Sequence, residues 1–141
     1  TSSLTTTGQV TGRLIGGNQD SLATTAGWAL PDLTGAILLL EGENQRHGHI
    51  DRQLTMLTNA GHLRGVRGVA VGRYTNCGPD ASTAGDWTVI DVLRDRLARL
   101  DFPILGGLPI GHGDDPRAVP IGTIATIDAD AGTLTVAPAV T

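Results

Sequence analysis

A chain of 141 residues suits one domain with a real core, and 40% hydrophobic content with a mean hydropathy of +0.03 excludes a disordered chain. All ten basic residues are arginines, the formal net charge is −4, and no basic patch stands out, which argues against a nucleic-acid partner. No apolar run reaches the roughly 18–20 residues that cross a bilayer, and the lone Cys77 excludes an internal disulfide framework, which fits a reducing compartment.

The chain opens at Thr1 rather than at a methionine, with the Thr/Ser-rich "TSSLTTTGQVTG". Residues 1–11 read as a linker from a preceding domain, and 12–141 as one domain. "GQVTGRLIGG" reads as a strand closed by a glycine pair. "NQDSLATTAG" reads as a short helix capped by Asn18 and stopped at Gly27. After the loop "ALPDLTG" comes "AILLLE", a continuous apolar strand of the kind covered on both faces in a parallel sheet. Ile50, Leu54, Leu57 and Ala60 then fall at near-helical spacing, with Gly61 as the stop.

"VRGVAVGRY" is a second buried strand, and "NCGPDASTAGD" is turn-forming. "WTVIDVLRDRLARL", Trp87 to Leu100, has the clearest amphipathic pattern and takes Asp86 as its expected cap. "FPILGGLPIG" is a third short strand running into a glycine loop. The final "VPIGTIATIDADAGTLTVAPAV" reads as two strands joined by "DADAG", a hairpin. The order predicts an α/β domain with a mostly parallel core sheet and a C-terminal β-hairpin.

Two residues stand out for chemistry. Glu41 ends the apolar strand, where open α/β sheets place their ligand sites; the plain alternative is a strand-end carboxylate that reaches water or pairs with Arg52. His112, in "PIGHG", is flanked by Gly111 and Gly113, which let the backbone hold an imidazole out into a cleft, where it can act as a general base. The alternative is an exposed loop histidine. Glu43 competes with Glu41 as an acid but is expected in solvent.

His47 and His49 in "HGH" invite a zinc reading with His112 or Glu41 as a third ligand, but neither an HExxH pattern nor a cysteine pair supports it, so no metal is expected. His62 reads as structural and Cys77 as an ordinary thiol. "IGGN", Ile15 to Asn18, lacks the lysine of a phosphate-binding loop and reads as tight packing. Serines at 2, 3, 21 and 82 have no catalytic context, so the constellation amounts to the orienter and base of a triad without its nucleophile.

"GRLIGGN", "LTGAILLLEGEN", "IDRQLTMLTNAGHLRGVRGVAVGRYTNC" and "LPIGHGDDPRAVPIG", in that order and followed by a hairpin, resemble the C-terminal domain of the LD-carboxypeptidases, the serine peptidases that include muramoyltetrapeptide carboxypeptidase and the microcin-immunity peptidase. The resemblance covers nearly everything from Gly12 onward. It implies a swivelling β/β/α-type domain in which Glu41 and His112 supply two members of a Ser-Glu-His triad. The serine would lie on an N-terminal domain outside this chain. The implied reaction removes a C-terminal D-amino acid from cell-wall peptides in the cytoplasm, without a cofactor. The implied partners are that N-terminal domain and a peptide, with homodimerisation left open and no membrane. Gly42 departs from the family's frequent Asp, and Gly48 from its frequent Tyr. Both changes bear on which peptide is recognised. The competing readings are a phosphohistidine carrier, with His112 as the phosphorylated residue, and a non-catalytic binding or dimerisation module.

Overall fold

The computed structural model describes residues 1–79 and 87–140. Among these residues six strands form one sheet in the order β4-β3-β2-β1-β5-β6. The strands are β1 Gln9–Asn18, β2 Ala36–Glu43, β3 Gly68–Thr75, β4 Ile104–Leu105, β5 Ile124–Asp128 and β6 Thr133–Val136. The first four run parallel, while β5 pairs antiparallel with β1 and closes the terminal hairpin with β6. The expected mostly parallel α/β sheet with a C-terminal hairpin is therefore the fold observed.

Among the described residues the helices α1 Gln19–Thr25, α2 His47–Asn59 and α3 Val89–Leu97 supply the crossovers. Period-2 alternation divides β2 between two cores. Leu38 and Leu40 pack with Ile50, Leu54 and Leu57 of α2 and with Val92, Leu93 and Leu97 of α3. Ile37 and Leu39 pack with Val10, Leu14, Ala70, Leu105, Ile110 and Ile127. Strand β2 is thus apolar from Ala36 to Leu40 because both its faces are covered there, as parallel sheets require.

Asn18 caps α1, its side chain accepting from the backbone N–H groups of Asp20 and Ser21. The glycine pair before it lies inside β1, and any side chain at Gly16 would run into the backbone of Leu39, so "IGGN" is a packing device. Helix α3 begins later than its sequence pattern suggests. Thr88 is its N-cap, in a reciprocal capping box with Asp91. The expected cap, Asp86, lies outside the described residues. Helix α2 begins earlier than expected, so His47 and His49 stand in its first turn rather than in a loop.

The residues read as a linker are anchored. Leu4 is buried, the Ser2 N–H donates to the Gly106 carbonyl and the Thr6 N–H to that of Ile104, and β1 already begins at Gln9.

Candidate active site

The site forms where the carboxyl ends of β2 and β3 meet the loop after β4. That loop is laid along β3: the Leu108 N–H donates to the Val71 carbonyl, and the Arg73 N–H to that of Ile110. The β2–β3 register breaks here. Leu40 pairs with Val71 but Gly42 pairs with Tyr74, so Gly72 and Arg73 together stand opposite Glu41. Such a bulge re-aims the side chains beside it.

The missing side chains at two glycines are what let the loop approach. A Cβ on Gly72 would lie 2.5 Å from the Ile110 carbonyl oxygen and 3.2 Å from the Glu41 Cβ. A Cβ on Gly111, whose φ is +102°, would lie 2.6 Å from Glu41 Oε2. Both positions hold the loop backbone directly over the Glu41 carboxylate.

Glu41 and His112, 71 residues apart, meet here. His112 Nδ1 lies 2.8 Å from Glu41 Oε2. The carboxylate side chain keeps only 7% of its exposure, whereas the imidazole keeps 47%. Glu41 pairs with this imidazole and not with Arg52, which stands exposed on α2. A buried carboxylate accepting from Nδ1–H fixes the tautomer that leaves the Nε2 lone pair facing outward. The imidazole is held above its ordinary pKa, first by the hydrogen bond to Glu41 and then by the charge of the same carboxylate. Glu43 adds a smaller push in the same direction, and desolvation opposes them.

Glu43 is not the solvated loop residue expected from the sequence. It ends β2, keeps 35% side-chain exposure, and places Oε2 3.6 Å from His112 Nε2. Alternation carries the signal: Ile37, Leu39, Glu41 and Glu43 share one face of the strand, so an imidazole against Glu41 also meets Glu43. Arg73, likewise not singled out from the sequence, packs its guanidinium against Gly113.

Of the remaining candidates, Cys77 is near enough for the charges of Glu41 and Glu43 to bear on its thiol. Among the described residues no three His, Cys, Asp or Glu side chains form a metal-binding group, so His47 and His49 do not converge with His112 or Glu41. Cys77 bonds weakly to the Thr75 carbonyl, and burial pushes its thiol above the ordinary value, the opposite of an activated nucleophile. Ser2 and Ser3 are engaged near the N-terminus and on α3, Ser21 lies in α1, and Ser82 falls outside the described residues. No serine hydroxyl among the described residues hydrogen-bonds the imidazole.

Residues 11–127 match the family model described as the LD-carboxypeptidase C-terminal domain. The chain belongs to the LD-carboxypeptidase family. Within it, a Synechocystis sp. protein assigned by name to the carboxypeptidases is 39% identical over 129 residues, which is 90% of this chain and 42% of that protein. The murein tetrapeptide carboxypeptidase of Pseudomonas aeruginosa is 31% identical over 122 residues, covering 85% of this chain and 39% of its own length. The crystal structure of muramoyltetrapeptide carboxypeptidase from Oxalobacter formigenes superposes with a TM-score of 0.80 at 29% identity, over 92% of this chain and 45% of that one. The microcin C7 self-immunity protein shares the fold, with a TM-score of 0.81 at 24% identity over 95% of this chain and 40% of that one. This LD-carboxypeptidase domain spans about two fifths of the length of the curated relatives it matches.

Proposed function

We propose that this domain supplies the base and the orienting acid of a serine LD-carboxypeptidase that removes a C-terminal D-amino acid from murein-derived peptides. The observation that carries the reading is the 2.8 Å contact from the buried Glu41 carboxylate to His112 Nδ1, with Nε2 left on the open side. A serine on an N-terminal partner domain would present its hydroxyl to Nε2. As its oxygen attacks the scissile carbonyl, its proton passes to Nε2, and Glu41 stabilises the imidazolium. When the C–N bond breaks, that proton goes to the leaving nitrogen. Water then cleaves the acyl-serine ester by the same base catalysis. Neither step calls for a metal or an organic cofactor. Work on recycled wall peptides would place the enzyme in the cytoplasm.

Glu43 also weighs against the phosphohistidine reading. A phosphoryl group on Nε2 would sit beside a carboxylate, and like charges at that distance repel.

The test is hydrolysis of an L,D-tetrapeptide by the two-domain protein and by this chain alone. The two-domain protein should release the terminal D-amino acid, and the isolated chain should show no comparable turnover. Metal-independent turnover by the isolated chain at the two-domain rate would place the nucleophile within these 141 residues and overturn the assignment.

A further inference from the structure

The proposed triad uses Glu41 and both nitrogens of His112, and it leaves Glu43 without a task. Yet Glu43 has a defined position. Its carboxylate stands at the end of β2 on the same face as Glu41, facing the other edge of the ring at 3.6 Å from Nε2. That separation exceeds an ordinary hydrogen bond, so the pair is juxtaposed rather than bonded. The ion-pair geometry of Glu43 is with the His112 ring, which is a cation only when protonated. Arg73, the nearby cation of β3, lies against Gly113. A half-exposed carboxylate is therefore held at the edge of the ring from which the proton must be delivered.

The distance decides what can stand there. Two atoms 3.6 Å apart can both lie about 3 Å from a third, on a ring of positions between them. A nitrogen that receives a proton from Nε2 is thus within hydrogen-bond reach of Glu43 as well. The leaving nitrogen of the scissile amide meets that description and carries an N–H from the outset.

We propose, resting on the carboxypeptidase reading above, that Glu43 accepts a hydrogen bond from the scissile N–H and then holds the departing amine. In the Michaelis complex the amide N–H donates to Glu43, which turns the developing nitrogen lone pair toward Nε2–H. On collapse of the tetrahedral intermediate the C–N bond breaks, the electron pair stays on nitrogen, and the Nε2 proton completes a neutral amine. The amine then takes a further proton from water and leaves as an ammonium ion, for which the carboxylate is a favourable contact. Specificity follows: the site favours amide substrates over esters, whose leaving oxygen has no hydrogen to donate and would face the carboxylate lone pairs.

The test compares two substrates of the two-domain protein. One is an L,D-tetrapeptide ending in D-alanine; the other is its depsipeptide, with D-lactate in place of D-alanine. Glu43→Ala should lower kcat/KM for the amide by about 10- to 100-fold, the range of a hydrogen bond to a charged group, and Glu43→Gln by less. Neither variant should lower the ester rate, because removing the carboxylate relieves its repulsion of the leaving oxygen, so the amide-to-ester ratio falls. Equal losses on amide and ester, with melting unchanged, would make Glu43 a structural support and overturn the proposal. No loss on either substrate would overturn it too. Failure of the wild-type two-domain protein to cleave either substrate would sink the carboxypeptidase reading and this inference with it.

Discussion

The two faces of the sheet at the end of β2 are built on opposite plans. On the helix face, Leu40 is fully buried, and Gly42 lets the Tyr74 ring lie flat, since a Cβ there would sit 2.6 Å from the ring. Beneath it the Tyr74 hydroxyl donates to Gln19 Oε1 at 2.6 Å, and the Gln19 amide donates to the Ile50 carbonyl and to Gln53. This network is anchored on the buried Gln19 side chain. On the loop face, one residue along, Glu41 lies under Gly72 and Gly111, and a half-exposed imidazole stands between Glu41 and Glu43. One face uses its polar groups to fix the helices, and the other keeps a nitrogen accessible. A single strand therefore separates stability from chemistry by alternation alone, and substitutions one residue apart should report on different properties.

The largest effect expected is on the loop face. In the two-domain protein, Glu41→Gln should keep the fold and lower kcat by about 10³ to 10⁴-fold, because an amide favours the wrong tautomer and cannot stabilise the imidazolium. His112→Ala should remove most of kcat. Steady-state kinetics with thermal melts check both. A Glu41→Gln variant at wild-type rate would remove Glu41 from the triad.

One position away, Leu40→Ala should do the converse. It deletes a buried side chain from the helix-side core and should cost about 2–5 kcal/mol of stability, read by denaturant unfolding of the isolated domain. If the variant still folds at the assay temperature, the Glu41–His112 contact should survive. Its His112 ring resonances should then match the wild type.

Much of this division is legible from residue types. "AILLLE" announces a strand buried on both faces and ending on a carboxylate, and the glycines around His112 announce a loop that comes close. Helix limits were less legible because local chemistry outweighed pattern. Thr88 and Asp91 form a capping box that starts α3 after Trp87, and α2 gains a turn at His47 that its apolar spacing does not require. The place of Glu43 was missed for a different reason. Extending the alternation of β2 two residues further puts it beside Glu41, but a polar residue after a strand reads as loop unless the strand's end is known. Gly72 inside the apolar run of β3 hints at the bulge with Arg73, but its exact place depends on the register of β3 against β2.

A smaller effect tests the inward network. Tyr74→Phe strands the Oε1 of Gln19, which is fully buried, and should cost about 1–3 kcal/mol, the usual penalty for an unpaired buried acceptor. Activity of the two-domain protein should stay within about twofold, since the hydroxyl lies on the face away from His112. A large loss of kcat without a stability change would mean that the two faces are coupled through Gly42.

The subtlest expectation concerns the proton on His112. The Glu41 hydrogen bond and charge raise its pKa above the ordinary histidine value of about 6.5, with Glu43 contributing less. Under the proposed mechanism the free base must be neutral to take a serine proton, so the acidic limb of kcat/KM should lie above that ordinary value. In the isolated domain, ring-proton NMR should show the His112 pKa falling most in Glu41→Gln and to a smaller extent in Glu43→Gln. Linkage sets the sign for stability. Because the folded-state pKa is the higher one, the contribution is fully present below the unfolded value and disappears as pH rises through the folded value. Stability measured from pH 5 to 8 should therefore decline across that window relative to Glu41→Gln, after correction for the mutation's own constant offset. An imidazole that titrates at its ordinary value in the wild-type domain would mean that the 2.8 Å contact does not persist in solution, and the separation of roles between the two faces would lose its chemical half.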